Sequence, residues 1–146
     1  MEMDDLYQEI ILDHYKHPRH AAELSDDEVL VDEENPTCGD QIRLTASVDD
    51  GGRITDIRFD AKGCAISVAS SSMMAEALVG LHVEDAKAKI AGFVDLMRGE
   101  REIPADELDD LAALEGVKNY PMRVKCATMC WHAIESALQK IASKAV

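Results

Sequence analysis

The chain has 146 residues, with 15 Lys and Arg against 29 Asp and Glu, a formal charge of −14. That acidic excess opposes tracking along a nucleic-acid backbone and fits solubility or a basic protein partner. No apolar run approaches the ~20 residues of a membrane span, and the acidic start lacks the basic n-region of a signal peptide. The expectation is therefore one cytoplasmic domain over residues 1–146, monomeric, with no membrane or nucleic-acid partner. Aromatic residues make up only 4% of the chain, so aliphatic side chains and Met must build the core. Four cysteines in a reducing compartment point to ligands or nucleophiles rather than disulfides.

The spacing of Leu6, Ile10 and Ile11 predicts a helix over Asp4–Lys16, ended by Pro18. The acidic stretches Ser25–Glu34 and Glu100–Glu115 read as solvated faces or loops. Within the first, Val29-Leu30-Val31 predicts a short edge strand. Asp40–Val48 alternates, with Ile42, Leu44, Ala46 and Val48 on one face. The sequence Asp49-Asp50-Gly51-Gly52 signals a turn, and a second strand follows over Arg53–Phe59. A hairpin centred between Asp50 and Gly51 sets Ile42 opposite Phe59 and Leu44 opposite Ile57. Ile54 is out of phase, which a turn or bulge would absorb. Helices are predicted over Ala65–Leu78, Val83–Arg98 and Pro121–Ser143. The last carries the apolar stripe Val124, Ala127, Trp131, Ile134, Leu138 and Ile141. Between the last two, Pro104 and the acidic stretch leave room for one or two helical turns.

Extended outwards, the hairpin register sets residue 38 opposite residue 63, so Cys38 and Cys64 meet at its open end. Cys64 also precedes a helix, and Cys126 lies in the first turns of the last one. Helix N-termini favour the thiolate. Cys126 falls about 120° from the centre of the apolar stripe, at its edge, so it is not an obvious core residue. Cys130 lies nearer the stripe and reads as a small buried hydrophobe, with a further sulfur at the site as the alternative. Asp40 is two strand residues from Cys38 and points to the same side. Cys38, Asp40, Cys64 and Cys126 thus offer three sulfurs and one oxygen. That donor set suits tetrahedral zinc, and it suits three corners of an iron–sulfur cluster. Spacing alone leaves open whether these form a metal site or are scattered structural cysteines.

Other constellations carry less. His14, His17 and His20 could suggest a metal-binding helix, but Pro18 interrupts it, and they read as surface or partner-contacting residues. His132 reads as solvent-facing or packed near Trp131. Ser70, Ser71 and Ser72 lack a nucleophile elbow and read as small residues for close helix packing. Met73 and Met74 read as core. Arg123, one turn before Ala127, could steady a thiolate, meet a partner or be plain surface.

The motifs N-P-T-C-G-D at 35–40, G-C-A-I-S at 63–67 and K-C-A-T-M-C-W at 125–131 resemble the IscU/NifU-like iron–sulfur scaffold family. The opening L-Y-Q-E-I-I-L-D-H-Y-K-H-P-R at 6–19 resembles its first helix. Lys125 stands where that family usually has histidine, and an extra segment, about Met97–Val117, precedes the third cysteine. Both resemble the SufU branch. The resemblance implies an α+β fold, with a small antiparallel three-stranded sheet, an N-terminal helix and several C-terminal helices. It implies a zinc-dependent sulfur acceptor that takes persulfide sulfur from a SufS-type cysteine desulfurase and serves downstream iron–sulfur assembly proteins. Cys38, Asp40, Cys64 and Cys126 are then the implied zinc ligands, with Cys38 accepting sulfur. The alternatives are a scaffold holding a labile iron–sulfur cluster at the same residues, and a zinc-stabilised adaptor that only activates the desulfurase.

Overall fold

The structure is a computed structural model, described over residues 3–36 and 39–144. Helix α1 (Met3–Lys16) leads through an acidic loop to strands β1 (Val31–Asn35), β2 (Asp40–Val48) and β3 (Ile54–Lys62). Helices α2 (Ala65–Leu78), α3 (Val83–Met97), α4 (Ala105–Leu108) and α5 (Pro121–Lys144) follow, with a 3-10 segment, Asp109–Asn119, between the last two. The strands form one antiparallel sheet in the order β1-β2-β3. This is the α+β arrangement expected, and no helix among the described residues is long and apolar enough to cross a membrane.

Two expectations about the sheet need correction. The edge strand begins only at Val31, and its outer residues Asp32, Glu33 and Glu34 are exposed. A strand paired on one side only can carry charges at its open edge, and they discourage further pairing. The hairpin pairs Leu44 with Phe59, Ala46 with Ile57 and Ile42 with Ala61, two residues away from the expected register. Two single-residue shifts add up. The loop is centred on Gly51, because the Asp49 carboxylate accepts from Gly51 N at 3.0 Å and from Arg53 N at 2.9 Å. The pairing then jumps from Val48–Ile54 to Ser47–Asp56, which leaves Thr55 as the extra residue of a bulge. One shift would have turned every side chain to the other face, whereas two restore it. Ile42, Leu44, Ile57 and Phe59 therefore still share the buried face, and Ile54 is buried because the bulge reverses its phase.

The far edge of β3 is not open. Ala22 N donates to Phe59 O at 2.8 Å and Phe59 N to His20 O at 3.2 Å. Helix α2 is the central helix, buried along most of its length from Ser67 to Ala75. Its Ala, Ser and Met content suits a helix packed by others on several sides. With so few aromatics, Trp131 anchors the core, stacked on Phe93 with ring centroids 4.4 Å apart. Its indole N–H donates to Ser70 Oγ at 3.0 Å, and that hydroxyl donates to Ala127 O at 2.5 Å. The serines thus allow close packing, as expected, and also tie α2 to α5.

Candidate metal centre

Three of the four residues singled out from the sequence converge. One carboxylate oxygen of Asp40 and the sulfurs of Cys64 and Cys126 all lie within 4.8 Å of one another. The fourth, Cys38, lies outside the described residues, and so does the expected pairing of Cys38 with residue 63. What stands beside Gly63 is Asp40, at the start of β2.

The Asp40 side chain is fixed from two directions. Its Oδ1 accepts from Cys64 N at 2.9 Å, and the Cys64 thiol donates to Oδ2 at 3.5 Å. The carboxylate thereby caps the N-terminus of α2, where partial positive charge favours an anion, and the Cys64 sulfur makes no capping bond. Gly63 makes room for this. A Cβ there would lie 2.0 Å from Asp40 Oδ1 and 2.9 Å from Asp40 Cα, and its φ of +138° is hard for any other residue. In the sequence, residue 63 stands out only as the hairpin position opposite Cys38. The signal for more was its place between a strand end and a candidate ligand.

Cys126 corrects the expectation of a position outside the core. It is only 1% exposed. The edge of the α5 stripe is covered because α5 packs on both β2 and α2, so a residue about 120° off the stripe is still enclosed. Cys64 remains partly exposed and lines a cavity of about 730 Å³ with Ala65 and Ile66, part of α1, Tyr120 and Arg123. Arg123 is itself exposed and lines the same cavity. Cys130 does not join the cluster. It is 1% exposed, within 3.5 Å of Ser70 Oγ, and burial pushes its thiol up to about 11. It is therefore protonated and inert at neutral pH.

The histidine expectation fails in part. His14 is 1% exposed rather than on the surface, because the 3-10 segment packs over α1. Its Nδ1 is 2.7 Å from Ser72 Oγ and its Nε2 is 2.8 Å from Asp110 Oδ2. His17, His20 and His132 are exposed, as expected, and Met73 and Met74 are core.

The NifU-like N-terminal domain family matches residues 6–127. The chain belongs to this family, in its SufU-type branch. It is 44% identical over 138 residues to the zinc-dependent sulfurtransferase SufU of Bacillus subtilis, covering 94% of this chain and 92% of that protein. It is 39% identical to the iron–sulfur cluster assembly scaffold protein IscU of Streptococcus pyogenes, covering 97% and 88%. Among solved structures, it is similar to an iron–sulfur cluster assembly scaffold protein for the SUF system from Fervidobacterium islandicum. The TM-score there is 0.77 at 32% identity, covering 94% of this chain and 99% of that one.

Proposed function

We propose that this chain is a cytoplasmic, zinc-holding sulfur acceptor in iron–sulfur cluster assembly, supplied by a SufS-type cysteine desulfurase and serving downstream assembly proteins. The observation that carries the reading is the gathering of Asp40, Cys64 and Cys126 within 4.8 Å. Two thiols and one carboxylate leave one position of a tetrahedral site, and Cys38 is the proposed fourth ligand. The donor set fits zinc on its own chemistry, and the Asp40 carboxylate is already held in place by Cys64 N–H. Bound zinc would keep the thiols ionised without redox chemistry of its own.

The protein's own groups then divide the work. The Cys38 thiolate attacks the outer sulfur of the partner's persulfide. The S–S bond of that persulfide breaks, the partner's cysteine leaves as thiolate, and Cys38 becomes the persulfide with no net oxidation. Asp40, Cys64 and Cys126 stay as the fixed part of the site, since each is set by the start of β2, α2 or α5. The Cys64 side of the cluster opens to the cavity, which gives the partner an approach.

A second reading, a scaffold for a labile cluster, is favoured by the 39% identity to an IscU scaffold. Metal and inorganic sulfide analysis of anaerobically purified protein, with its visible spectrum, separates the two. One zinc per chain without sulfide or colour is the expected outcome. Stoichiometric iron and sulfide with a brown chromophore would replace the acceptor by the scaffold. A Cys38→Ala protein that still stimulates the desulfurase fully would leave only a zinc-stabilised adaptor.

A further inference from the structure

We propose that His14, Glu76 and Asp110 form a second metal site, for a first-row divalent cation held by nitrogen and oxygen donors, apart from the cysteine cluster. One ring nitrogen of His14 and one carboxylate oxygen each from Glu76 and Asp110 lie within 4.8 Å of one another. The distances from His14 Nε2 are 2.8 Å to Asp110 Oδ2 and 3.7 Å to Glu76 Oε1. Bonds of about 2.1 Å would place neighbouring ligand atoms about 3.0 Å apart in an octahedral shell and about 3.4 Å apart in a tetrahedral one. The two spacings from His14 bracket those values, and the two carboxylate oxygens lie within 4.8 Å of each other on side chains exposed enough to adjust.

Burial of the imidazole distinguishes this cluster from an ordinary acidic patch. His14 is 1% exposed, while Glu76 and Asp110 are 46% and 55% exposed. The ring is fixed inside the protein with one nitrogen at the surface mouth, between two carboxylates free to adjust. Ser72 Oγ, 2.7 Å from Nδ1, supplies the outer partner that a ligating histidine needs. That hydroxyl is itself pinned by Arg19 N at 2.8 Å. Without an ion, Nε2–H donates to Asp110 Oδ2; with one bound, Nδ1–H would donate to Ser72 Oγ and the Nε2 lone pair would face the ion. The nearby Arg19 guanidinium is hydrogen-bonded to Asp13 at 2.6 Å and also attracts Glu76 and Asp110, so it offsets part of their charge. Glu76 also sits in the last turn of α2, whose negative dipole end favours a cation. Two carboxylates and one imidazole select harder ions than thiolates do, such as Mn²⁺ or Fe²⁺.

The test is an electron paramagnetic resonance titration of the full chain with Mn²⁺, a poor thiolate ion. The expected result is one bound Mn²⁺ per chain with nitrogen coupling from imidazole. Binding should weaken at least tenfold in both Glu76→Gln and Asp110→Asn and stay unchanged in Cys64→Ser. Because both carboxylates are about half exposed, these variants keep the fold, which circular dichroism checks. Bound Mn²⁺ without nitrogen coupling, or equal binding in either carboxylate variant, would reduce the cluster to diffuse acidic surface and overturn the site.

Discussion

Helix α2 has a three-residue cluster at each end, and the two differ in almost every respect except size. At its N-terminus, Asp40, Cys64 and Cys126 bring one oxygen and two sulfurs together, with Asp40 and Cys126 buried. Near its C-terminus, His14, Glu76 and Asp110 bring one nitrogen and two oxygens together, with both carboxylates at the surface. Cys64 and Glu76 are separated by about 18 Å of helix at 1.5 Å per residue. The first cluster is rigid because backbone and glycine geometry hold its carboxylate. The second is rigid only at the imidazole. Donor softness and enclosure, more than the number of ligand-type residues, separate the chemistry proposed for the two ends.

The largest expected effect removes the rigidity of the first cluster. Gly63→Ala places a Cβ 2.0 Å from Asp40 Oδ1 at a φ of +138°. Overpacking and backbone strain each cost about 1–3 kcal/mol. Urea unfolding should show a loss of about 3–5 kcal/mol, and, if the first cluster holds zinc as proposed, metal analysis should show the zinc content falling well below one per chain. Unchanged metal content would mean that Asp40 is not held as described.

The second cluster is sharpened by Ser72→Ala. The substitution leaves His14 Nδ1 and Arg19 N–H without the hydroxyl they share at 2.7 and 2.8 Å. A buried polar group left unpaired costs about 1–3 kcal/mol, so urea unfolding should report a loss of that order. If the His14 cluster binds Mn²⁺, the same variant should weaken it about 10-fold or more, as loss of an outer hydrogen-bond partner does. Gly63→Ala should leave that binding alone.

The first cluster was legible in the sequence because its residues sit at element boundaries, which turn and helix signals mark well. Asp40 opens a strand, Cys64 precedes a helix and Cys126 follows Pro121. The strand faces were legible for the same reason, although the partners were displaced by a loop centre and a bulge that alternation does not encode. The second cluster was not legible. His14 looked exposed because its burial depends on the 3-10 segment folding back over α1, a contact between residues 96 apart in sequence. Nothing in local periodicity reports such a return.

The smallest expected effect concerns the cysteine that neither cluster uses. Cys126 and Cys130 are one helical turn apart and equally buried, yet only Cys126 reaches Asp40 and Cys64. Burial raises the Cys130 thiol from 9.0 to about 11. The unfolded chain releases this proton near pH 9, while the folded chain keeps it until about pH 11. The stabilising contribution is therefore complete below pH 9 and is lost as pH rises from 9 to 11. The loss should be on the order of 2 kcal/mol, read as the difference between the parent and Cys130→Ala in urea unfolding across that range. Other groups titrate there too, but they cancel in the difference. If the first cluster holds zinc as proposed, Cys130→Ala should also keep its full metal content, whereas Cys126→Ser should lose at least tenfold in zinc affinity. Equal metal loss in both variants would place Cys130 in the site and erase the distinction between the two cysteines.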